Sequence, residues 1–150
     1  MNLSPAGEKF IANEEGIRTK SYLDQVGVWT IGVGHTGPEV GPGLVWTKEK
    51  VMEVFRADIG RFAVAVTKLV SAALKQHEFD ALVSLAFNIG TGNFASSTLL
   101  RKLNGGDYRG AGEQFPRWNK GKVKGVLTEL PVLTARRRRE RRLFEEGRYA

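Results

Sequence analysis

The chain has no cysteine, so no disulfide can staple it. It has only two histidines, His35 and His77, too few and too far apart in sequence to suggest a metal site. Nothing in the pattern asks for a cofactor. No segment approaches the ~18–20 consecutive apolar residues needed to span a bilayer, which excludes stable membrane insertion as an expectation. Met1 to Lys9 lacks a basic start followed by an apolar core, so no signal peptide is expected. Acidic residues are also scarce beside basic ones, 16 against 23, leaving a formal net charge of +7. Such a charge concentrates polyanions of any kind, nucleic acid, anionic lipid and wall polymers alike, and does not choose among them.

What remains supports an ordinary folded unit. One hundred and fifty residues suggest a single domain, and a hydrophobic fraction of 41% can build its core. Ser4-Pro5 is a helix start, with Ser as N-cap and Pro at the first helical position, and Gly16 is the stop. Thr36 to Gly43 is a loop by composition and marks a boundary between a small N-terminal lobe, about 1–46, and a larger helical lobe, about 47–150. Thr47 caps a helix carrying Val51, Val54, Phe55 and Ile59, which Gly60 bends or divides from the apolar run through Val70. Phe79, Leu82, Val83 and Ala86 define a further helix ending at Gly90, followed by a turn through Asn93. Leu99, Leu100 and Leu103 lie on another helix, stopped by Asn104-Gly105-Gly106. Asp107 caps one more, with Phe115 to Trp118 at or beyond its end. The run Arg136 to Arg142, interrupted only by Glu140, reads for the most part as a solvated helical face with Glu140 paired one turn away. His77 reads as solvated.

The most informative stretch runs from Glu15 to Thr36. A Glu followed by Gly sits where a helix should stop, and two short β-type runs follow around Gln25-Val26-Gly27, a three-residue hairpin loop with Gly at the position needing positive φ. That turn sets Asp24 opposite Val28. Strand alternation then places Tyr22, Asp24, Val28, Thr30 and Gly32 on one face, and Thr30 becomes a diagonal neighbour of Asp24, close enough for one water to touch both. Glu15 is an odd choice for stability, because a helix C-terminus disfavours a carboxylate; the same environment favours the protonated acid that a departing sugar oxygen requires. As bare residue types, one Glu, one Asp and one Thr within sixteen residues carry little signal. Their order and spacing carry more.

Glu15, eight residues, Asp24, five residues and Thr30, together with Gly16, Arg18, Tyr22, Gly27 and Ile31-Gly32-Val33-Gly34-His35, resemble the phage lysozyme (endolysin) family of muramidases, glycoside hydrolase family 24. Counting back from Asp24 also selects Glu15 over Glu14. Ala86 to Gly90, Ser97 to Asp107, Phe115 to Trp118, and Leu133, Arg136, Arg137, Glu140, Leu143 and Phe144 extend the resemblance over nearly the whole chain. Two departures stand out: the link from Lys124 to Val132 is longer than usual, and Val132 replaces a common Gly.

The resemblance implies a lysozyme-like α+β fold, mainly α, with a β-hairpin in the small lobe. It implies Glu15, Asp24 and Thr30 as catalytic residues, Phe87, Asn88 and Ser97 along the sugar cleft, and Arg136 as ion partner of Glu15, which opposes the effect of the helix end. Phe87 and Ser97 each have a plainer reading, as core aromatic and N-cap. His35 is expected to be structural, its ring held by hydrogen bonds beneath the hairpin. The implied reaction is hydrolysis of the β-1,4 bond between N-acetylmuramic acid and N-acetylglucosamine in bacterial peptidoglycan, ending in host lysis, with the water between Asp24 and the sugar giving an inverting outcome. The implied protein is a monomer held in the host cytoplasm until a holin-type lesion releases it to the wall in the periplasm. A lytic transglycosylase, a non-catalytic wall-binding module and a nucleic-acid binder are the rival readings. The last rests on charge and the arginine run alone, and no nucleic-acid partner is expected.

Overall fold

The computed structural model describes residues 1–150. Its order is α1 (Pro5–Glu15), β1 (Arg18–Leu23), β2 (Trp29–Gly32), α2 (Lys48–Leu69), α3 (Gln76–Ile89), α4 (Thr91–Ala95), α5 (Thr98–Asn104), α6 (Tyr108–Gln114), a 3-10 turn (Phe115–Trp118), β3 (Lys120–Val123), β4 (Val126–Glu129) and α7 (Pro131–Glu146). The fold is α+β and mainly α, with two separate two-stranded antiparallel hairpins.

The helix starts follow the side-chain caps read from the sequence. Ser4 Oγ accepts the Gly7 N–H at 2.9 Å, Thr47 Oγ1 accepts Lys50 N–H at 3.1 Å, and Asp107 Oδ1 accepts Gly110 N–H at 2.8 Å. Gly60 neither breaks nor divides α2, which runs unbroken for 22 residues, about 33 Å. A single Gly costs a helix only ~1 kcal/mol, and Val51, Phe55, Ile59, Ala63 and Val66 keep one continuous buried stripe. The expected turn after Gly90 is instead a one-turn helix, α4, whose Phe94 is fully buried. The boundary near residue 46 does not detach α1 from the helical part: Phe10, Ile11 and Ala12 share one core cluster with Phe79, Leu82, Leu99 and Phe144.

Beside the hairpin the chain does more than loop. Leu44 to Trp46 pairs with the outer edge of β1, Ser21 N–H donating to Leu44 O at 2.9 Å and Trp46 N–H to Thr19 O at 2.8 Å. These bonds fasten β1 on both sides, so it is held as the middle strand of a small sheet. The link from Lys124 to Val132 also carries structure, since most of it forms β4 and its turn. Lys120 pairs with Glu129 and Val123 with Val126. Two residues with positive φ, Lys124 at 49° and Gly125 at 80°, close this hairpin.

Candidate active site

Glu15 is the last residue of α1, where Gly16 takes φ 77° and its N–H returns to Ala12 O at 2.8 Å. The carboxyl then lies against the tight turn after β2. A Cβ on Gly34 would come within 2.9 Å of Glu15 Oε1, and φ there is 66°, a conformation that favours glycine. From α7, Arg136 donates through its NH1 group to Glu15 Oε2, and its Nε donates to Glu140 Oε2 at 3.1 Å. Ser84 Oγ donates to the same Glu140 oxygen at 2.5 Å. Burial works against the Arg136 charge, yet Glu140 and Glu15 outweigh it and hold its pKa above the usual arginine value. The ion partner expected for Glu15 is therefore in contact with it.

Asp24 follows β1 directly. Its backbone N–H donates to Val28 O at 3.0 Å, the register expected, and Gly27 takes φ 81°. One carboxylate oxygen, Oδ1, accepts both Val26 N–H at 2.9 Å and Val28 N–H at 2.8 Å. Oδ2 accepts no hydrogen bond from within the chain. Tyr22 pairs directly with Thr30, which makes Thr30 the diagonal neighbour of Asp24. Thr30 is 4% exposed and its hydroxyl donates to Val28 O at 3.0 Å, so what it can still offer a water is a lone pair.

Glu15, Asp24, Tyr22, Arg18, Asn88 and Arg136 line one cleft of about 830 Å³. A second cavity of about 350 Å³, walled by Gly34, His35, Arg61, Phe62 and Phe87, shares Glu15 and Asn88 with it. Glu15 thus stands where the two cavities meet. Tyr22 is there too: burial first, then Glu15 and Asp24, push its hydroxyl pKa up, against the pull of Arg18, whose guanidinium lies 4.6 Å from the ring centre.

The family model described as "Phage lysozyme" matches residues 12–140. The chain belongs to that family. It is 43% identical over 147 residues to the endolysin of Acyrthosiphon pisum secondary endosymbiont phage 1, covering 98% of this chain and all of that one. It is 44% identical to the endolysin of Salmonella phage P22, covering 96% and 98%. Among solved structures, the endolysin from Escherichia coli O157:H7 phage FAHEc1 superposes with a TM-score of 0.95 at 35% identity, covering 100% of this chain and 97% of that one.

Of the other residues expected along the cleft, two line the cavities and one does not. Phe87 faces the second cavity, held edge-on by Phe55 and Phe62 at 6.1 and 5.1 Å between ring centres. Asn88 is exposed on both parts of the groove, its Oδ1 accepting from Arg137 at 2.8 Å. Ser97 does not join them. It is 5% exposed, caps α5 by accepting Leu100 N–H at 3.1 Å, and donates to Phe94 O at 2.7 Å, so its hydroxyl is spent on the backbone. His77 is not simply solvated either, since its Nδ1 lies 2.9 Å from Leu143 O. His35 is held beneath the hairpin, Nδ1 to Asp58 and Nε2 to Glu39 at 2.6 Å each.

The arginine run is the largest departure. Arg137 and Glu140 are fully buried, with Arg137 Nε 2.7 Å from Glu140 Oε1, close in distance but without hydrogen-bond alignment. Arg139 grips Glu14 with two bonds of 2.6 and 2.8 Å. Arg138 and Arg139 are exposed, while Arg141 and Arg142 are half-buried. The signal was present in the spacing: Glu140 stands three and four residues after Arg137 and Arg136, which places all three on one helical face. Nothing local marked Arg139 or the wall made by Gly121, Val132 and Leu133, because these depend on where α7 and the second hairpin dock.

Proposed function

We propose that the groove binds a glycan strand of bacterial peptidoglycan and hydrolyses the β-1,4 bond between N-acetylmuramic acid and N-acetylglucosamine with inversion. The observation that carries this is the shared cleft of Glu15 and Asp24, one carboxyl held by an arginine at a helix end, the other with one oxygen fixed and one free. Glu15 gives its proton to the departing glycosidic oxygen as the bond to the anomeric carbon breaks. A water held by Asp24 Oδ2 and the Thr30 lone pair attacks that carbon from the opposite face and passes its proton to Asp24. The carboxylate left on Glu15 faces Arg136, which is already in place to neutralise it.

Digestion of purified sacculi with product analysis tests this. Reducing-end muramic acid, formed first as the α-anomer by NMR, supports it. An anhydro-sugar product would mean a transglycosylase, and binding without loss of turbidity a wall-binding module. Replacing Glu15 by Gln should preserve the fold and abolish turnover; an active Glu15→Gln enzyme would remove Glu15 from the acid's role.

The same reading makes this chain a monomeric cell-wall hydrolase that lyses the phage host. No helix is long and apolar enough to cross a membrane, and release through a holin-type lesion accounts for access to the wall. Lysis of cells expressing the chain with a holin, and not without one, is the expected result.

A further inference from the structure

Two carboxyls, not one, stand at the end of α1. Glu14 and Glu15 are adjacent in its last turn and both line the larger cleft, yet the hydrolytic scheme uses only Glu15. Each is met by its own arginine from α7: Arg136 donates to Glu15, and Arg139 donates through Nε and NH2 to the two oxygens of Glu14 at 2.6 and 2.8 Å. The arginines are three residues apart, so they stand on one helical face, about 4.5 Å from one another along the axis. The carboxyls they serve belong to consecutive residues. Spacing alone thus permits the exchanged pairing, with Glu14 on Arg136. What decides against it is the fork of Arg139, which closes on both oxygens of Glu14 and leaves that side chain only 6% exposed at the wall of an open cleft. The same hydrogen bonds from Glu14 hold the Arg139 pKa above the usual arginine value, against the opposing effects of burial and Arg136. Arg136, relieved of Glu14, is left to bridge Glu15 and Glu140.

Resting on the reading of Glu15 as the proton donor, we propose that Arg139 is a positioning residue: it sequesters Glu14, so that of the two adjacent carboxyls only Glu15 is served by Arg136 and no unpaired negative charge stands beside it. Arg139 touches neither substrate nor reacting atoms in this role. It acts through Glu14, by neutralising a carboxylate that would otherwise compete for Arg136. The other charged and titratable groups around Glu15 are Arg136 in contact with it, Arg137 and Glu140 behind that on α7, and Arg18, Tyr22 and Asp24 on the side of the first hairpin. His35, Asp58 and Arg61 face it across the second cavity. All of these are left in place by the substitutions at Glu14 and Arg139 that separate the effect.

The test follows the alkaline limb of the pH profile of kcat on soluble glycan strands, together with the titration of the Glu15 carboxyl carbon by NMR, which needs no turnover. Arg139→Gln leaves Glu14 charged and unpaired. The plateau kcat should fall by about five- to twentyfold as Arg136 is shared between the two carboxyls. The limb and the NMR titration should both move up by about half to one pH unit, because a negative charge beside Glu15 disfavours its ionised form. Glu14→Gln leaves the charge of Arg139 instead, so both should move down. In Glu14→Gln/Arg139→Gln neither charge remains, and the titration should return to the wild-type position with kcat recovered to within about threefold. Arg139→Lys keeps the charge and should leave the limb in place. An unchanged circular dichroism spectrum shows that each variant is folded. A pair that only pins α1 to α7 would lower Tm and kcat together in both single variants, would not move the limb in opposite directions, and would leave the double variant no better than either. That pattern, or a Glu15 titration unmoved by Arg139→Gln, overturns the proposal. Absence of turnover by the wild-type enzyme would instead overturn the proposed reaction, and the NMR titration would still decide the role of Arg139.

Discussion

Arg136 reaches Glu15 across 121 residues of sequence, joining the last helix to the end of the first. Behind it Glu140 and Arg137 continue the alternation, so four buried or half-buried charges cancel in one chain: Glu15, Arg136, Glu140, Arg137. The Glu15 carboxyl is thereby positioned by the same contacts that lock α7 against α3, through Ser84 and Asn88.

Replacing Arg136 by Lys keeps the charge but loses the planar fork that holds Glu15 and Glu140 at once. An ammonium can satisfy one of them. With the carboxyl free to wander by about 1 Å, kcat should fall by about one to two orders of magnitude with little change in KM. Steady-state rates on soluble glycan read this directly. A KM effect without a kcat effect would mean that Arg136 holds substrate and not the acid.

Glu140→Gln leaves two buried guanidinium groups facing one another across a neutral amide. Breaking a buried ionic cluster on one side costs about 3–5 kcal/mol, far above a surface pair. Chemical denaturation should show that loss. A double replacement by well-packed apolar residues, Arg137→Met with Glu140→Leu, should recover part of it, because the uncompensated charge goes with its partner.

Much of this was legible where the determinants are local. Glu15 and Asp24 are placed by a helix stop and a tight turn, both set by neighbouring residues, and the caps at Ser4, Thr47 and Asp107 work the same way. What depends on docking was not legible. Six arginines among seven residues look alike until α7 packs, and only then do Arg136 and Arg137 become internal while Arg138 stays outside. Ser97 could serve either a cap or a sugar, and the decision lies in how α4 and α5 meet. The second hairpin was hidden because four-residue strands are too short to show alternation, and Lys-Gly lacks the turn signal of Asn-Gly.

His35 supplies a pH signature. Burial favours its neutral ring, but hydrogen bonds to Glu39 and Asp58 outweigh this and raise its pKa; Arg61, which also binds Asp58 at 2.8 Å, faces the same cluster. Its contribution to stability is therefore complete below the unfolded histidine pKa, about 6.5, and is lost as pH rises through the higher folded value. Glu39 is shifted the other way, chiefly by the His35 hydrogen bond, so its contribution is complete above an unfolded pKa of about 4.3 and lost as pH falls through its lower folded value. The Tm difference between the wild-type enzyme and His35→Gln should be greatest between these limits and shrink toward pH 9. A constant difference across that range would show that the ring acts by packing against Trp46, 5.5 Å away, and not by charge.

Asp80 is fully buried with neutral donors around it: Ser4 through backbone and hydroxyl, Gln76 at 2.9 Å and Tyr149 at 2.6 Å. It ties both ends of the chain to α3. Gly7 makes the approach feasible, since a Cβ there would stand 2.6 Å from the Asp80 carboxyl carbon. Gly7→Ala should therefore destabilise by about 1–3 kcal/mol despite the better helix propensity of alanine, with activity at 25 °C unchanged. Stabilisation would mean that the carboxylate moves aside freely, and that the network contributes little.

Lys124 is the one residue other than glycine with positive φ, 49°, and with Gly125 it forms a two-residue turn in which both positions are left-handed. Lysine resists that geometry because its Cβ crowds the following carbonyl, whereas asparagine adopts it readily. The hairpin nevertheless forms, since Lys122 and Leu127 pair across it and Leu130 N–H closes its base on Asn119 O at 2.9 Å. Lys124→Asn should stabilise the protein by about 0.5–1 kcal/mol and slow amide exchange at Val123 and Val126.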